Sequence, residues 1–305
     1  MDFGLLSLRR QSLYCKIIDM PEYNNFLGIP KKHSQYESSK VVILPIPFDK
    51  SASWIKGAAN GPKAIIEASQ QLELYDIESD SEPYESGIFT AAPIEASSSK
   101  EMVDSGYKKV LSFLKDEKFV VTLGGDHSIS IGPILAHSAF FKDISILHLD
   151  AHADMRDIFE GNKFSHACVM ARASEQVDNI VSLGIRSMDI SERPSFKKGN
   201  LFLAEDICCG KDDWIQEVIK RLGKKVYLSL DVDVFDSGIM PATGTPQPGG
   251  LDWHQVIRLM QAVCKARELI GMDFVELAPM KNNKAPDFLV AKLIYKILSY
   301  TKSPK

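Results

Sequence analysis

From about residue 40 onward the chain repeats one alternation: an apolar run of strand length, then a stretch with helical spacing. The apolar runs are 41–47, 119–124, 144–150, 180–185, 201–204, 226–231 and 270–277. They are rich in Val, Ile and Leu and show no polar alternation, the pattern of strands covered on both faces. Between them, 62–75, 100–115, 129–141, 166–175, 212–222, 252–266 and 286–300 carry the spacing of helices. Several open on helix-start chemistry, such as Gly61-Pro62, Asp212-Asp213 and Asp252. This alternation predicts an α/β fold built on an open, doubly wound parallel sheet, in preference to a barrel, with crossover helices on both faces. No internal repeat or low-complexity linker interrupts it, so residues 1–305 read as one domain. Residues 76–99, with Pro83, Ser-rich ends and scattered acids, read as a loop excursion. The weakly patterned residues 1–35 read as an N-terminal arm.

Composition narrows the partners. A hydrophobic fraction of 45% with 25% charged residues is that of a globular chain able to bury a sizeable core. A net charge of −4, with the basic residues dispersed, leaves no electrostatic footprint for nucleic acid or an anionic membrane. No apolar run approaches the ~20 residues of a membrane span. Asp2 precedes the first short apolar stretch and Arg9-Arg10 follow it, the wrong order for a secretory signal, so the expected location is the cytoplasm. Cys15, Cys168, Cys208, Cys209 and Cys264 make an odd set without metal-type spacing, expected to be reduced.

The chemistry sits where three of the apolar runs end. The segments are Gly124-Gly125-Asp126-His127-Ser128, Asp150-Ala151-His152-Ala153-Asp154 and Asp231-Val232-Asp233. In sheets of this class ligands bind outside the carboxyl ends of the strands. Spacing by two aims Asp150, His152 and Asp154 to one side of an extended backbone, and Asp231 with Asp233 likewise. Like charges packed this closely raise one another's pKa unless a cation compensates them. Carboxylate oxygen with a minority of imidazole suits Mn²⁺ best, ahead of Mg²⁺, Fe²⁺, Co²⁺ and Zn²⁺. A structural Zn²⁺ site would more often use thiolates, and none is near in sequence. Six ligands on one ion would close it to chemistry, whereas two ions sharing carboxylates leave room for a water that they acidify.

These segments resemble the signature motifs of the arginase–agmatinase (ureohydrolase) family. The third extends as Ser229-Leu230-Asp231-Val232-Asp233-Val234-Phe235-Asp236. Further similarity covers most of the chain: Leu44-Pro45-Ile46-Pro47-Phe48, Gly57 with Gly61-Pro62, Ser165-His166, Gly184-Ile185-Arg186, the loop from Thr243 through Thr245 to Gly250, and Val275-Glu276-Leu277-Ala278-Pro279. The resemblance implies a three-layer α/β/α fold with a mostly parallel sheet. It also implies two Mn²⁺ per subunit and hydrolysis of a guanidino group to urea and an amine. By position, one metal takes His127, Asp150, Asp154 and Asp231; the other takes His152, Asp150, Asp231 and Asp233. Asp126 is expected to orient its neighbours without binding metal. Glu276 is expected to hold the substrate cation, Asp154 to carry a proton to the leaving amine, and His166 to shuttle protons or touch substrate. Thr243 and Thr245 are expected at the substrate. A homo-oligomer, trimer or hexamer, is implied as well.

The residues before His166 bear on the substrate. Arginases use a longer loop here, with Asn and Ser residues for the α-carboxylate of arginine; residues 156–165 lack that pattern and look like agmatinases. Asp157, Glu160 and Asp189 are candidates to meet the cationic tail of agmatine. Arginase, guanidinobutyrase, guanidinopropionase, formimidoylglutamase and aminopropylagmatine ureohydrolase share the chemistry and stand as alternatives, as does a non-catalytic, metal-binding relative. A metal-dependent deacetylase, on a related fold, would keep one metal and a different histidine arrangement. The chain departs from the family at Ser237, where Pro is common, and at Ala242, where Gly is usual; both touch loop stiffness and neither removes a ligand.

Overall fold

The computed structural model describes residues 25–210 and 213–301. Eight strands form one sheet: β1 (Val41–Ile46), β2 (Ile88–Thr90), β3 (Phe119–Gly124), β4 (Ile144–Leu149), β5 (Asn179–Ile185), β6 (Leu201–Leu203), β7 (Lys225–Asp231) and β8 (Glu268–Val275). Their order is β2-β1-β3-β8-β7-β4-β5-β6, and every pairing is parallel. The sheet is open, as the alternation predicts, and uniformly parallel. Parallel neighbours need crossovers, which the helices supply: α1 (Gly61–Ser69), α2 (Ser99–Lys115), α3 (Ile131–Phe140), α4 (Val169–Ser174), α5 (Ala204–Cys208), α6 (Trp214–Arg221), α7 (Trp253–Ala266) and α8 (Ala285–Tyr300).

Every residue of β1, β3 and β4 is buried, which explains the missing polar alternation. Successive side chains feed two different cores. Val41 and Ile43 join the core shared with α1, α6, α7 and α8, through Ile65, Val218, Val256 and Val290. Val42, Leu44 and Ile46 join the core beneath α2, α3 and α4, through Met102, Ile134 and Val169. Each such fully buried aliphatic side chain contributes ~1.5–3 kcal/mol of transfer free energy. Asp252 starts α7 as the sequence suggests, through a reciprocal box: its Oδ1 accepts from Gln255 N (2.7 Å) while Gln255 Oε1 accepts from Asp252 N (2.8 Å).

Three expectations shift. The excursion 76–99 contains the edge strand β2, only three residues long and opened by Gly87 at φ 80°. Helix α1 stops at Ser69, short of residue 75; the Ser69 hydroxyl donates to Ile66 O (2.7 Å) and accepts from Leu27 N (2.7 Å). The arm expected over 1–35 lies outside the described residues as far as residue 24, and from residue 25 the chain is packed, with Phe26 and Ile29 fully buried. The expected helix start at residue 212 also lies outside the described residues. Among the described residues no helix is long and apolar enough to cross a membrane.

Candidate metal centre

The chain leaves β3 for β4 across a gap of two strands that β7 and β8 later fill. That crossing is the topological switch point of the sheet, where ligands of doubly wound folds collect. The carboxyl ends of four adjacent strands, β3, β8, β7 and β4, therefore deliver His127, Glu276, Asp231 with Asp233, and Asp150 with His152 and Asp154 to one place.

At the end of β3 the turn depends on two glycines. A Cβ on Gly125 would stand 1.9 Å from Phe48 O, and one on Gly124 2.5 Å from an Ile129 methylene. This close approach lets Asp126 N donate to Phe48 O (2.7 Å) and sends His127 into the centre. His127 Nδ1 lies 3.0 Å from Asp150 Oδ2, 3.0 Å from Asp154 Oδ2 and 3.6 Å from Asp231 Oδ2. It is buried and in hydrogen-bond geometry with none of them. Its other nitrogen, Nε2, is 3.0 Å from Ser229 Oγ, which itself donates to Asp273 Oδ1 (2.9 Å). With the hydroxyl proton directed to Asp273, Ser229 can accept from Nε2–H, and that tautomer leaves the Nδ1 lone pair facing the carboxylates.

On the other side, His152 Nδ1 lies 2.9 Å from Asp233 Oδ2 and 3.6 Å from Asp150 Oδ1. Two ligand groups emerge, His127–His148–Asp150–Asp154 and Asp150–His152–Asp233, and Asp150 belongs to both. Asp231 borders them through His127 and through its Oδ1, which accepts from Asp233 N (2.8 Å).

The electrostatics describe a cradle for positive charge. Burial raises Asp231 well above the usual carboxylate range, and the charges of Asp233 and Asp150 add to it. Burial and Asp150 likewise raise Asp233. Burial alone would raise Asp150 too, but the adjoining imidazoles of His127, His148 and His152 hold it well below its ordinary value. Burial would lower His152, yet Asp150 and Asp233 push it up to about 11. An orphaned buried imidazole nitrogen, an oxygen-rich donor set and a shared carboxylate together fit divalent cations.

The surrounding residues fall into place around this centre. Asp126 touches none of the metal-type ligands: its Oδ2 accepts from Ser51 N and Ser51 Oγ (both 2.8 Å), and its Oδ1 from Ser128. Glu276, the first residue after β8, stands at φ 66° and Asp154 at φ 52°, a left-handed conformation that costs energy and concentrates at functional sites. Glu276 Oε1 accepts from His127 N (2.8 Å), and burial holds its carboxyl well above the ordinary range. His166 opens a 3-10 turn ahead of α4; its N–H donates to Ser51 Oγ (3.0 Å), and its ring meets Phe159 edge-on at 5.5 Å.

A small cleft connects the centre to the surface, lined by His127, His152, Asp154, His166, Asp231, Glu276, Gly244, Thr245 and the segment 52–55. Thr245 therefore reaches it. Thr243 does not: it is buried at the start of its loop, bridged to Leu277, with its hydroxyl unpartnered. None of the three acids proposed for a cationic tail lines the cleft. Asp157 pairs with Arg172, Asp189 Oδ1 accepts from Ser191 N (3.0 Å), and Glu160 sits with Gly161 at the tip of the small 159–162 hairpin.

The sequence reading overlooked several participants. His148 holds Asp150 Oδ2 through Nε2 (2.9 Å) and contacts Ser182 Oγ through Nδ1 (3.1 Å), so both its nitrogens are engaged and it braces the shared carboxylate. Its signal was available, since it stands on β4 two residues before Asp150. Asp273, a lone acid in the run 270–277, was a similar signal. Segment 52–55 gave none.

Known proteins match this arrangement. The family model for the arginase family matches residues 39–299. The N(1)-aminopropylagmatine ureohydrolase of Synechocystis is 36% identical over 91% of this chain and 96% of its own length. That of Thermus thermophilus is 40% identical over 87% and 91%. The crystal structure of agmatine ureohydrolase of Thermoplasma volcanium superposes with a TM-score of 0.79 at 32% identity, over 88% of this chain and 92% of that one. A family model spanning the whole sheet, and relatives alike over almost their whole length, lead to one conclusion: the chain belongs to the arginase family, as an enzyme of the ureohydrolase class.

Proposed function

We propose that this enzyme hydrolyses the guanidino group of an aliphatic guanidine with a cationic tail, agmatine or its N1-aminopropyl derivative, to urea and the corresponding amine. For agmatine that amine is putrescine. The observation that carries the reading is the cleft: carboxylates and imidazoles at its floor, and in its lining no residue of 156–165, the segment from which arginases hold the α-carboxylate of arginine. Relatives named for agmatine and for N1-aminopropylagmatine support both tails.

In this reading His127, Asp150, Asp154 and Asp231 hold one divalent cation, and His152, Asp150, Asp231 and Asp233 the other, with His148 and Ser229 fixing ligand orientation. Two such ions, for which manganese suits the donor set, supply Lewis acidity and an acidified water. The protein does the rest. Guanidinium is resonance-stabilised and a poor electrophile, so it must be held in line with its attacker. Glu276 receives the cation; burial raises this carboxyl, and the arriving positive charge favours its ionised form. Water oxygen joins the guanidino carbon, the bond from that carbon to the alkylated nitrogen breaks, and this nitrogen leaves protonated as the amine. Asp154, at the floor, and His166, on the wall, are placed to pass that proton. Thr245 shapes the wall opposite.

The test is urea release from Mn²⁺-loaded protein presented with agmatine, N1-aminopropylagmatine, arginine and guanidinobutyrate. One of the first two should exceed arginine by roughly a hundredfold or more in kcat/KM. Arginine turned over as well as either would overturn the reading.

A further inference from the structure

Segment 52–55 crosses the mouth of the cleft as a strap fastened at both ends. Ser51 N and Oγ are tied to Asp126 Oδ2 at one end, each at 2.8 Å. At the other, Gly57 N and Ala59 N donate to Asp49 Oδ2 (3.0 and 3.3 Å). In the middle, Ile55 O comes so close to Gly244 that a Cβ there would stand 3.1 Å away. Yet the two largest side chains on this anchored strap are uncovered: Trp54 is 71% exposed and Ile55 44%. Among the described residues the Trp54 ring stacks on no other ring and carries no protein cation. An indole carried uncovered on an anchored backbone at the rim of a ligand cleft leaves a π-face and an apolar edge open.

We propose that Trp54, with Ile55 beside it, is the specificity-determining wall for the substrate's cationic tail: the methylenes lie along the two side chains and the ammonium over the indole face. The inference rests on the reading of an aminoalkyl guanidine as substrate. It follows from what else the cleft offers. With the guanidino group at Glu276 and the metal-type ligands, the tail runs outward past the strap and meets no free acid, since Asp157, Glu160 and Asp189 lie off the lining. Trp is the best of the aromatic faces for an ammonium, and a carboxylate gains nothing from it. The same wall therefore favours a lone protonated amine over the end of arginine, whose α-ammonium brings beside it a carboxylate that the negative π-face repels. A longer tail with a second ammonium has the rest of the exposed ring to lie on.

Two readouts test it. In steady state, Trp54→Ala should raise KM for agmatine roughly tenfold (~1.4 kcal/mol) with kcat and bound metal little changed. Trp54→Phe should recover most of the loss, and n-butylguanidine, which has the methylenes without the ammonium, should respond far less. In titration, agmatine should perturb the tryptophan emission of the wild type, and Trp54→Phe should abolish the change, because Trp214 and Trp253 sit on α6 and α7 away from the cleft. An unchanged KM in Trp54→Ala, equal losses for agmatine and n-butylguanidine, or an emission change that survives Trp54→Phe overturns the assignment. Agmatine binding at Trp54 without urea release from any guanidine would instead sink the catalytic reading and leave the wall standing.

Discussion

At Asp150 one carboxylate serves two ligand groups, reached by His127 Nδ1 at 3.0 Å and held by His148 Nε2 at 2.9 Å. Asp150→Ala should therefore lose both metals and lower turnover below detection, as should Asp231→Ala. Metal analysis beside urea release checks this, and a variant that kept two metals with wild-type rate would remove the bridging assignment. Glu276 makes the opposite case, because it touches the cleft and His127 N rather than the ligand oxygens. Glu276→Gln should keep the metals and lose about a hundredfold or more in kcat/KM, the scale of removing a charge partner from a water-poor site. Loss of metal would show its role to be structural. The ligands were legible because Asp-x-His-x-Asp and Asp-x-Asp gather metal-type side chains where apolar runs end, although the extended backbone expected to aim them does not hold: Asp233 lies in a 3-10 turn and Asp154 at φ 52°. Ser229 and Asp273 were legible only in part, and Trp54 not at all. A polar residue in an apolar run has a readable face but no readable partner, and an exposed tryptophan in a loop is indistinguishable from one packed on a helix.

The strands and crossover helices were legible through periodicity, and the connections that place the chemistry were not. β2 escaped because a three-residue edge strand carries too little pattern, and its parallel register to β1, Val41 opposite Ile88, is set by tertiary pairing. Loop order likewise depends on side chains far away in sequence. Arg186 is the clearest instance: its guanidinium donates to the carbonyls of Asp233 (2.6 Å), Gln247 (2.8 Å), Gly184 (3.1 Å) and Pro248 (3.1 Å). It pins the ligand loop after β7 to the 243–250 loop with a planar fork that lysine cannot copy. Arg186→Lys should weaken Mn²⁺ binding about 10- to 100-fold, the usual effect of losing an outer-shell brace, with activity returning at saturating metal. A metal titration followed by urea release measures it. An unchanged midpoint would mean that the loop is held by its prolines and its Asp236 bonds alone.

Across the whole molecule, the excursion 76–99 is joined to the last helix by a buried charge. Lys296 of α8 lies 3.0 Å from Asp76 and 2.7 Å from Glu78, with only 5% of the Lys296 side chain and 1% of the Asp76 side chain exposed. The sequence shows Lys296 as one of two lysines in a largely apolar helix and cannot show its partner 220 positions away. Removing one member of such a pair leaves an uncompensated buried charge, at a cost of about 3–5 kcal/mol. Lys296→Met should therefore lower Tm by roughly 5–10 °C near neutral pH. The pH dependence follows from both partners. Burial would raise Asp76, but hydrogen bonds from Ser79 and Lys296 outweigh it and hold the carboxyl below its ordinary value. Its contribution is then complete above the unfolded value of about 3.9 and fades as pH falls through the lower folded one. Burial would lower Lys296, but Glu78 and Asp76 raise it, so its contribution is complete below about 10.4 and fades as pH rises through the higher folded value. The gap in Tm between wild type and Lys296→Met should be flat from about pH 5 to pH 9 and close below about pH 4. Adding Asp76→Asn to Lys296→Met should restore part of the loss by removing the stranded anion. If the gap were instead constant into acid, the lysine would be acting through its packing and not through its charge.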